Sequence, residues 1–444
     1  MNRSILILVL CLIINGGVMA GDTQKIFPYD YTVNQLDNGL KVILIPMDNP
    51  GVVAYYSVVR TGSRDEWEPG KSGFAHFFEH MMFRGTEKYP GQVYDSIVTS
   101  LGADANAYTS DDLTVYHLKF TSEDLEKVIE LESDRFQNLK YAEREFQTES
   151  GAIYGEFRKG KTSPWFVAFE KMHDMAFEKH TYKHTTIGFE EDIKAMPELY
   201  DYSISFFNRY YRPENVVVVI VGDINQEKTF ELVKRYYSGW KPGYVQPQIT
   251  PEPPQTSERT AEVKYPGKTL PLLSIAYKGD AFDVNNKNLI SSVLLADLAF
   301  GETSDIYKKL VLNEQKVQFI QGDFGFSRDP KLLYIFTMIK DEKDIDYVKN
   351  EILTTIEKFK NTLVDEKKLE DLKKREKYSF LMNLDNPASV AGFLPQFITL
   401  TGGIEVIDQL YAAIDKVTPA DLKSAANYYL IPEKRNVVVV KGDK

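Results

Sequence analysis

The chain has 444 residues, 43% hydrophobic and 26% charged, which places it among globular proteins long enough for two to four domains. Its formal charge of -11 leaves no basic footprint for nucleic acid, and beyond the first twenty residues no apolar run approaches the roughly 20 needed to span a bilayer. An acidic balance of this size reads as solubility before it reads as an attraction to cationic partners.

At the start, Asn2-Arg3 precede an unbroken apolar run from Ile5 to Ile14, and Val18-Met19-Ala20 put small residues at the cleavage-determining positions. This predicts a secretory signal peptide, residues 1–20, cut before Gly21, and a periplasmic or secreted product without a membrane span. A mitochondrial presequence would be amphipathic and rich in Arg and Ser, and a lipoprotein would need a small residue where Leu10 precedes Cys11. Cys11 is the only cysteine, so the exported chain has neither disulfide nor thiol chemistry. Losing Arg3 leaves 52 basic against 64 acidic residues, a charge of -12.

A strand-like YYSVVRTGS (55–63) leads into GFAHFFEHMMFRGT (73–86), which predicts a helix buried by Phe74, Phe77, Phe78, Met81, Met82 and Phe83. His76 and His80 lie four apart on it, the separation two imidazoles need to grip one zinc ion, and Glu79 leans to the same side. Zinc lowers the pKa of a bound water to about 7, and a carboxylate beside it can take the proton and later deliver it to a leaving amine. Such a site needs a third protein ligand, and the residues alone leave Glu145, Glu149 and Glu156 equal.

Next comes GADANAYTSDDLTVYHLKF (102–120), strand-like, with Tyr116, Leu118 and Phe120 on one face and His117 on the other in a structural role. Amphipathic helical stretches follow at 122–140 and 190–211, and later at 342–362 and 365–384. His180 and His184 repeat the four-residue spacing in a Thr-rich, turn-like context with no acid between them, so a second metal site is not expected there.

The first half ends NRYYRPENVVVVIVGD (208–223), and a proline-rich connector, 241–262, follows it. The second half, 263–444, ends ANYYLIPEKRNVVVVKGD (426–443), again a Tyr-Tyr pair, a proline turn and a valine strand closed by Gly-Asp. LLSIAYKGD (272–280), with a helix ending Phe300-Gly301-Glu302-Thr303, answers YYSVVRTGS and Phe83-Arg84-Gly85-Thr86. The halves therefore read as duplicates, an α+β protein of two α/β sandwiches, each a mainly antiparallel sheet packed with helices. Setting Phe83 on Phe300 places Val293, Ala296 and Asp297 opposite His76, Glu79 and His80, so only the half at 21–240 carries the metal motif.

H-x-x-E-H is the inverzincin signature, and nearly the whole chain after the leader resembles the pitrilysin/insulinase family, in particular two-domain members similar to mitochondrial processing peptidase. The resemblance implies Glu156, 76 residues after His80, as third zinc ligand. It implies Glu149, one heptad earlier, as an acid of the catalytic site that orients the ligands. It also makes Asn106 and Ala107 part of a substrate-aligning strand, where an edge pairs its backbone with an extended peptide. Active relatives carry an Arg and a Tyr in the second half, near a glycine-rich loop. Here Asp305 and either Gln318 or Phe319 stand in their places, and Gly301 is the loop's one glycine. The expectation is an exported zinc endopeptidase acting on unfolded peptides, paired with a sister subunit that supplies the missing pair, or else a homodimer. The rivals are a non-catalytic scaffold of the same fold and a peptide-binding chaperone with a structural zinc.

Overall fold

The computed structural model of the chain describes residues 25–443, so the expected leader, 1–20, lies outside the described residues. The first half contributes β1 (Thr32–Gln35), β2 (Lys41–Pro46), β3 (Val52–Val59), β4 (Asp104–Thr109), β5 (Thr114–Thr121) and β6 (Val216–Gly222). They form one sheet in the order β1-β2-β6-β3-β5-β4, antiparallel except for β2 with β6. The second half contributes β7 (Arg259–Tyr265), β8 (Leu272–Lys278), β9 (Val317–Asp323), β10 (Leu332–Ile339) and β11 (Arg435–Gly442). Their order is β7-β11-β8-β10-β9, antiparallel except for β7 with β11. With β1 set aside, the two sheets agree strand for strand, parallel pair included, so the duplication read from the terminal valine runs extends through the whole topology.

The valines explain the centre of each sheet. In β6, Val216, Val218 and Ile220 enter one core while Val217, Val219 and Val221 enter another, so both faces are buried and the strand reads as a continuous β-branched run. It stops at Gly222, where φ is +128° and a Cβ would lie 2.2 Å from the Val52 carbonyl oxygen.

Among the helices that cover one face of the first sheet are α1 (Phe74–Met81), α2 (Leu125–Asn138) and α3 (Glu143–Gly160). Next along the chain is α4 (Pro164–Ala176), and the second half then supplies α5 (Lys287–Phe300), α6 (Ile345–Asn361), α7 (Glu366–Met382) and α8 (Pro387–Thr401). α5, α6 and α7 pack on the second sheet as α1, α2 and α3 do on the first.

Two helices, α4 and α8, are exchanged between the halves. α4, from the first half, lays Ala168, Met172 and Ala176 against Leu272, Ala276, Val438 and Val440 of the second sheet. α8, from the second half, lays Val390, Leu394 and Ile398 against Ala54, Tyr56, Val58 and Val219 of the first.

Two sequence expectations need correction. The connector ends before Arg259, because residues 259–262 open β7, an edge strand whose alternate side chains are solvent-facing and therefore read as linker. The stretch 190–211 is two helices, Glu190–Ala195 and Tyr200–Tyr210, separated by a 3-10 turn holding Pro197, whose ring and missing N–H break helical continuity. No single helix among the described residues is long and apolar enough to cross a membrane.

A polar seam joins the halves. His180 Nδ1 accepts from the Tyr182 amide at 3.0 Å, which leaves Nε2 to donate to Asp329 at 3.0 Å; Arg64 Nε donates to the same carboxylate oxygen at 2.6 Å. Burial alone would raise the Asp329 carboxyl, but these two donors outweigh it and hold the group well below the usual aspartate range.

Candidate metal centre

Helix α1 is set in place at both ends. Gly73 begins it at φ +93°, where a Cβ would meet the Ile187 carbonyl oxygen at 2.6 Å. Two amides of its first turn, from Gly73 and Ala75, donate to the buried carboxylate of Glu66 at 2.7 and 2.6 Å. Phe74, Phe77, Phe78 and Met81 are fully buried, as the apolar run predicts, while His76, Glu79 and His80 stay partly accessible. Behind the helix, the Tyr116 hydroxyl donates to the Phe78 carbonyl at 2.8 Å.

The two imidazoles stand 4.9 Å apart, centre to centre, and each Nε2 lies 3.6 Å from Oε2 of Glu156 on α3. One ligand atom from each of the three residues falls within 4.8 Å of the other two, the only such group among the described residues. Two imidazole nitrogens, one carboxylate and an accessible side form a donor set that suits zinc with an open position. Burial, then the charge of His80, pulls the His76 imidazole down to about 4, so it is neutral at pH 7 as a ligand must be.

His80 is oriented from behind. Its Nδ1 is 2.9 Å from Oε1 of Glu149, a carboxylate almost wholly buried on α3, while Arg84 holds the other oxygen through Nε at 2.8 Å. Burial would raise the Glu149 carboxyl; the hydrogen bonds from His80 and Arg84 outweigh it and keep the group below the ordinary glutamate value. For His80 itself, burial lowers the imidazole, but the Glu149 bond and the charge of Glu156 prevail and raise it. His76 Nδ1, by contrast, is buried without a partner among the described residues.

Glu79 accepts a 2.7 Å hydrogen bond from the Thr109 hydroxyl, and burial raises its carboxyl above the glutamate norm against that bond. Thr109 closes β4, the strand containing Asn106 and Ala107. β4 pairs only with β5, so its other edge faces no strand among the described residues. Asn106 points to solvent with its Oδ1 2.8 Å from the Ala107 amide, and Ala107 turns toward the α1 side. The open edge thus ends at the Glu79 carboxylate. Thr109 was missed in the sequence, although period-2 alternation already puts it on the face of Ala107. Arg84 and Glu66 carried no comparable signal.

The remaining candidates are otherwise employed. Glu145 accepts from the Ala142 amide at 2.7 Å and caps α3, which separates it from Glu156. His117 stacks on Tyr56 with ring centres 4.9 Å apart, His180 belongs to the seam, and His184 Nδ1 lies 3.0 Å from the Thr185 carbonyl oxygen. Asp305 pairs with Lys358 at 2.8 Å, Gln318 is exposed, and Phe319 packs against Trp165 with ring centres 5.7 Å apart.

Residues 42–189 match insulinase (peptidase family M16), and residues 200–376 match the peptidase M16 inactive domain. The zinc protease PqqE of Helicobacter pylori is 30% identical over 412 residues, covering 91% of either chain. Among solved structures, a protease from Helicobacter pylori superimposes with a TM-score of 0.87 at 28% identity, over 93% of this chain and 99% of that one. The periplasmic protease PqqL from Escherichia coli, 19% identical, superimposes with a TM-score of 0.75 over 93% of this chain but 48% of its own.

Proposed function

The chain belongs to the insulinase family of peptidases, M16, and from that premise we propose that it is a zinc-dependent endopeptidase acting on unfolded peptides. The observation that carries the reading is the convergence of His76, His80 and Glu156 beside a glutamate that is no ligand and is held by the end of an open strand edge. His76, His80 and Glu156 would hold the metal, which when bound polarises the scissile carbonyl and acidifies water. Glu79 takes the proton of the attacking water, and Thr109 occupies one of its oxygens so that the other receives the proton. The same group then returns the proton to the leaving amine. Glu149 keeps Nδ1 of His80 engaged and Nε2 directed at the site. An extended peptide pairs its backbone with β4 along Asn106 and Ala107, so recognition depends on an unfolded stretch more than on a particular sequence.

Export to the periplasm or beyond is part of the proposal; the apolar run 5–14 and the relative described as periplasmic support it. So is a second subunit. By the resemblance, the second half presents Asp305, paired with Lys358, and either the exposed Gln318 or Phe319, packed on Trp165, where active relatives place an Arg and a Tyr, and the PqqL chain is about twice the length of this fold. A sister chain, or a second copy, would close the site from the opposite side.

The test is Glu79→Gln in the purified full chain, assayed with and without whatever copurifies with it. Zinc content should stay at one ion per chain while hydrolysis of an unstructured peptide falls by about 10² to 10⁴. Unchanged turnover would remove Glu79 from the mechanism, and a wild-type chain that binds no zinc would end the reading altogether.

A further inference from the structure

We infer that Arg84 is a positioning residue for the metal centre, acting through Glu149 on His80; the inference rests on the zinc reading above. Arg84 closes a 3-10 turn, Met82–Arg84, that continues α1. Gly85 turns the chain away immediately afterwards at φ +92°, where a Cβ would be 2.3 Å from the Tyr89 carbonyl oxygen, so the point from which the Arg84 side chain leaves is fixed. From there its guanidinium reaches α3. Nε donates to Oε2 of Glu149 at 2.8 Å and a terminal N–H donates to the same oxygen.

The two oxygens of Glu149 are thereby divided, Oε2 for Arg84 and Oε1 for His80 Nδ1. Three consequences follow from that division. The carboxylate side chain is only 4% exposed and would be a costly isolated charge; the guanidinium compensates it. Two N–H groups of the guanidinium converge on Oε2 and hold that oxygen, so that with Oε1 on His80 the carboxylate is held at both oxygens and the bond that aligns the imidazole keeps its direction. Arg84 also ties the extension of the helix bearing both histidines to the helix bearing Glu156, which holds the spacing among the three ligands.

His76 sharpens the point, because its Nδ1 is buried with no partner among the described residues, which hold no carboxylate against it as Glu149 is held against His80. Among the described residues, the side-chain path that orients an imidazole of the pair from behind is Arg84 to Glu149 to His80. A lysine could supply the charge of Arg84 but not its fork.

The experiment measures zinc affinity of the purified full chain by competition with a chromophoric chelator, beside thermal unfolding of the zinc-free protein. Arg84→Met keeps the apolar stem and removes the charge, Arg84→Lys keeps the charge, and Glu149→Gln cuts the path one step on. Arg84→Met should weaken zinc binding by about 10- to 100-fold, the range seen when a group behind a ligand is removed. Arg84→Lys should recover part of the loss. The double variant with Glu149→Gln should bind little worse than the weaker single, since both cut one path. Arg84→Met should also destabilise the zinc-free protein, because it strips the counter-charge from the buried Glu149 carboxylate, whereas Arg84→Lys and the double variant with Glu149→Gln, which leave no unpaired carboxylate, should unfold close to wild type. Wild-type affinity in Arg84→Met, or losses that add in the double variant, would overturn the role of Arg84 while leaving the zinc reading intact. A wild-type chain without zinc would overturn both.

Discussion

Helices α1 and α3 in the first half and α5 and α7 in the second are the same pair of elements on the same sheet topology, yet they meet through different chemistry. In the first half the meeting point holds two imidazoles and a carboxylate whose ligand atoms converge. In the second half, under the register set by Phe83 and Phe300, Asp297 stands at the position of His80 and is paired directly with Arg375 of α7. Ala296 stands at the position of Glu79, and in place of a bond to the neighbouring edge strand it sits 3.2 Å from where a Cβ of Gly322 in β9 would be. The first half thus brings its helices together around a donor set that suits a metal ion, and the second joins the matching position by a direct ion pair. The fold tolerates either solution because both faces of each sheet are packed independently of what joins the helix tips.

The largest effect should come from moving one solution onto the other half. Substituting His76→Val, Glu79→Ala and His80→Asp together gives the first half the residues of the second. Zinc content should fall to zero and peptide hydrolysis below detection, with the circular dichroism spectrum unchanged; zinc retained in this variant would place the metal elsewhere. A smaller effect tests what holds the halves in register. Asp329 has a depressed pKa in the folded chain, so it stabilises above the unfolded aspartate value of about 4, and that stability drains away as pH falls through the folded pKa. Asp329→Asn should cost on the order of 2 kcal/mol at pH 7, and the gap to wild type in denaturant unfolding should narrow as the pH is lowered from 4 toward 2. The smallest effect belongs to the built-in pair of the second half. Arg375 and Asp297 are each about a third to a half exposed, so Arg375→Ala should cost under about 1 kcal/mol and leave zinc content unaltered.

The sequence disclosed the parts of this molecule that repeat or that carry rare residue types. Histidines four apart with an acid between them, and valine runs closed by Gly-Asp, are patterns that few other arrangements produce. Glu156 was a different case: its spacing meant nothing until the family resemblance chose it from three glutamates, and the structure shows why it differs from Glu145, which caps its own helix. Elements whose polarity is mixed were hidden. β7 alternates Arg259, Ala261, Val263 and Tyr265 with Thr260, Glu262 and Lys264, and its buried face is made by a helix from the other half, so nothing local marks it as a strand. Arg84 was hidden for a similar reason, since its partner is 65 residues away.

The exchange of α4 and α8 has a bearing on how the chain reaches this state. The face of the first sheet formed by Ala54, Tyr56, Val58, Val217 and Val219 is covered by residues 387–401, so that layer stays bare until nearly all of the polypeptide has left the ribosome. The second sheet must in turn receive a helix made long before it. Neither half can finish its interior first and wait for the other, so the two mature together, and a chain truncated after the proline-rich connector would offer a large sticky surface where the complete protein has none.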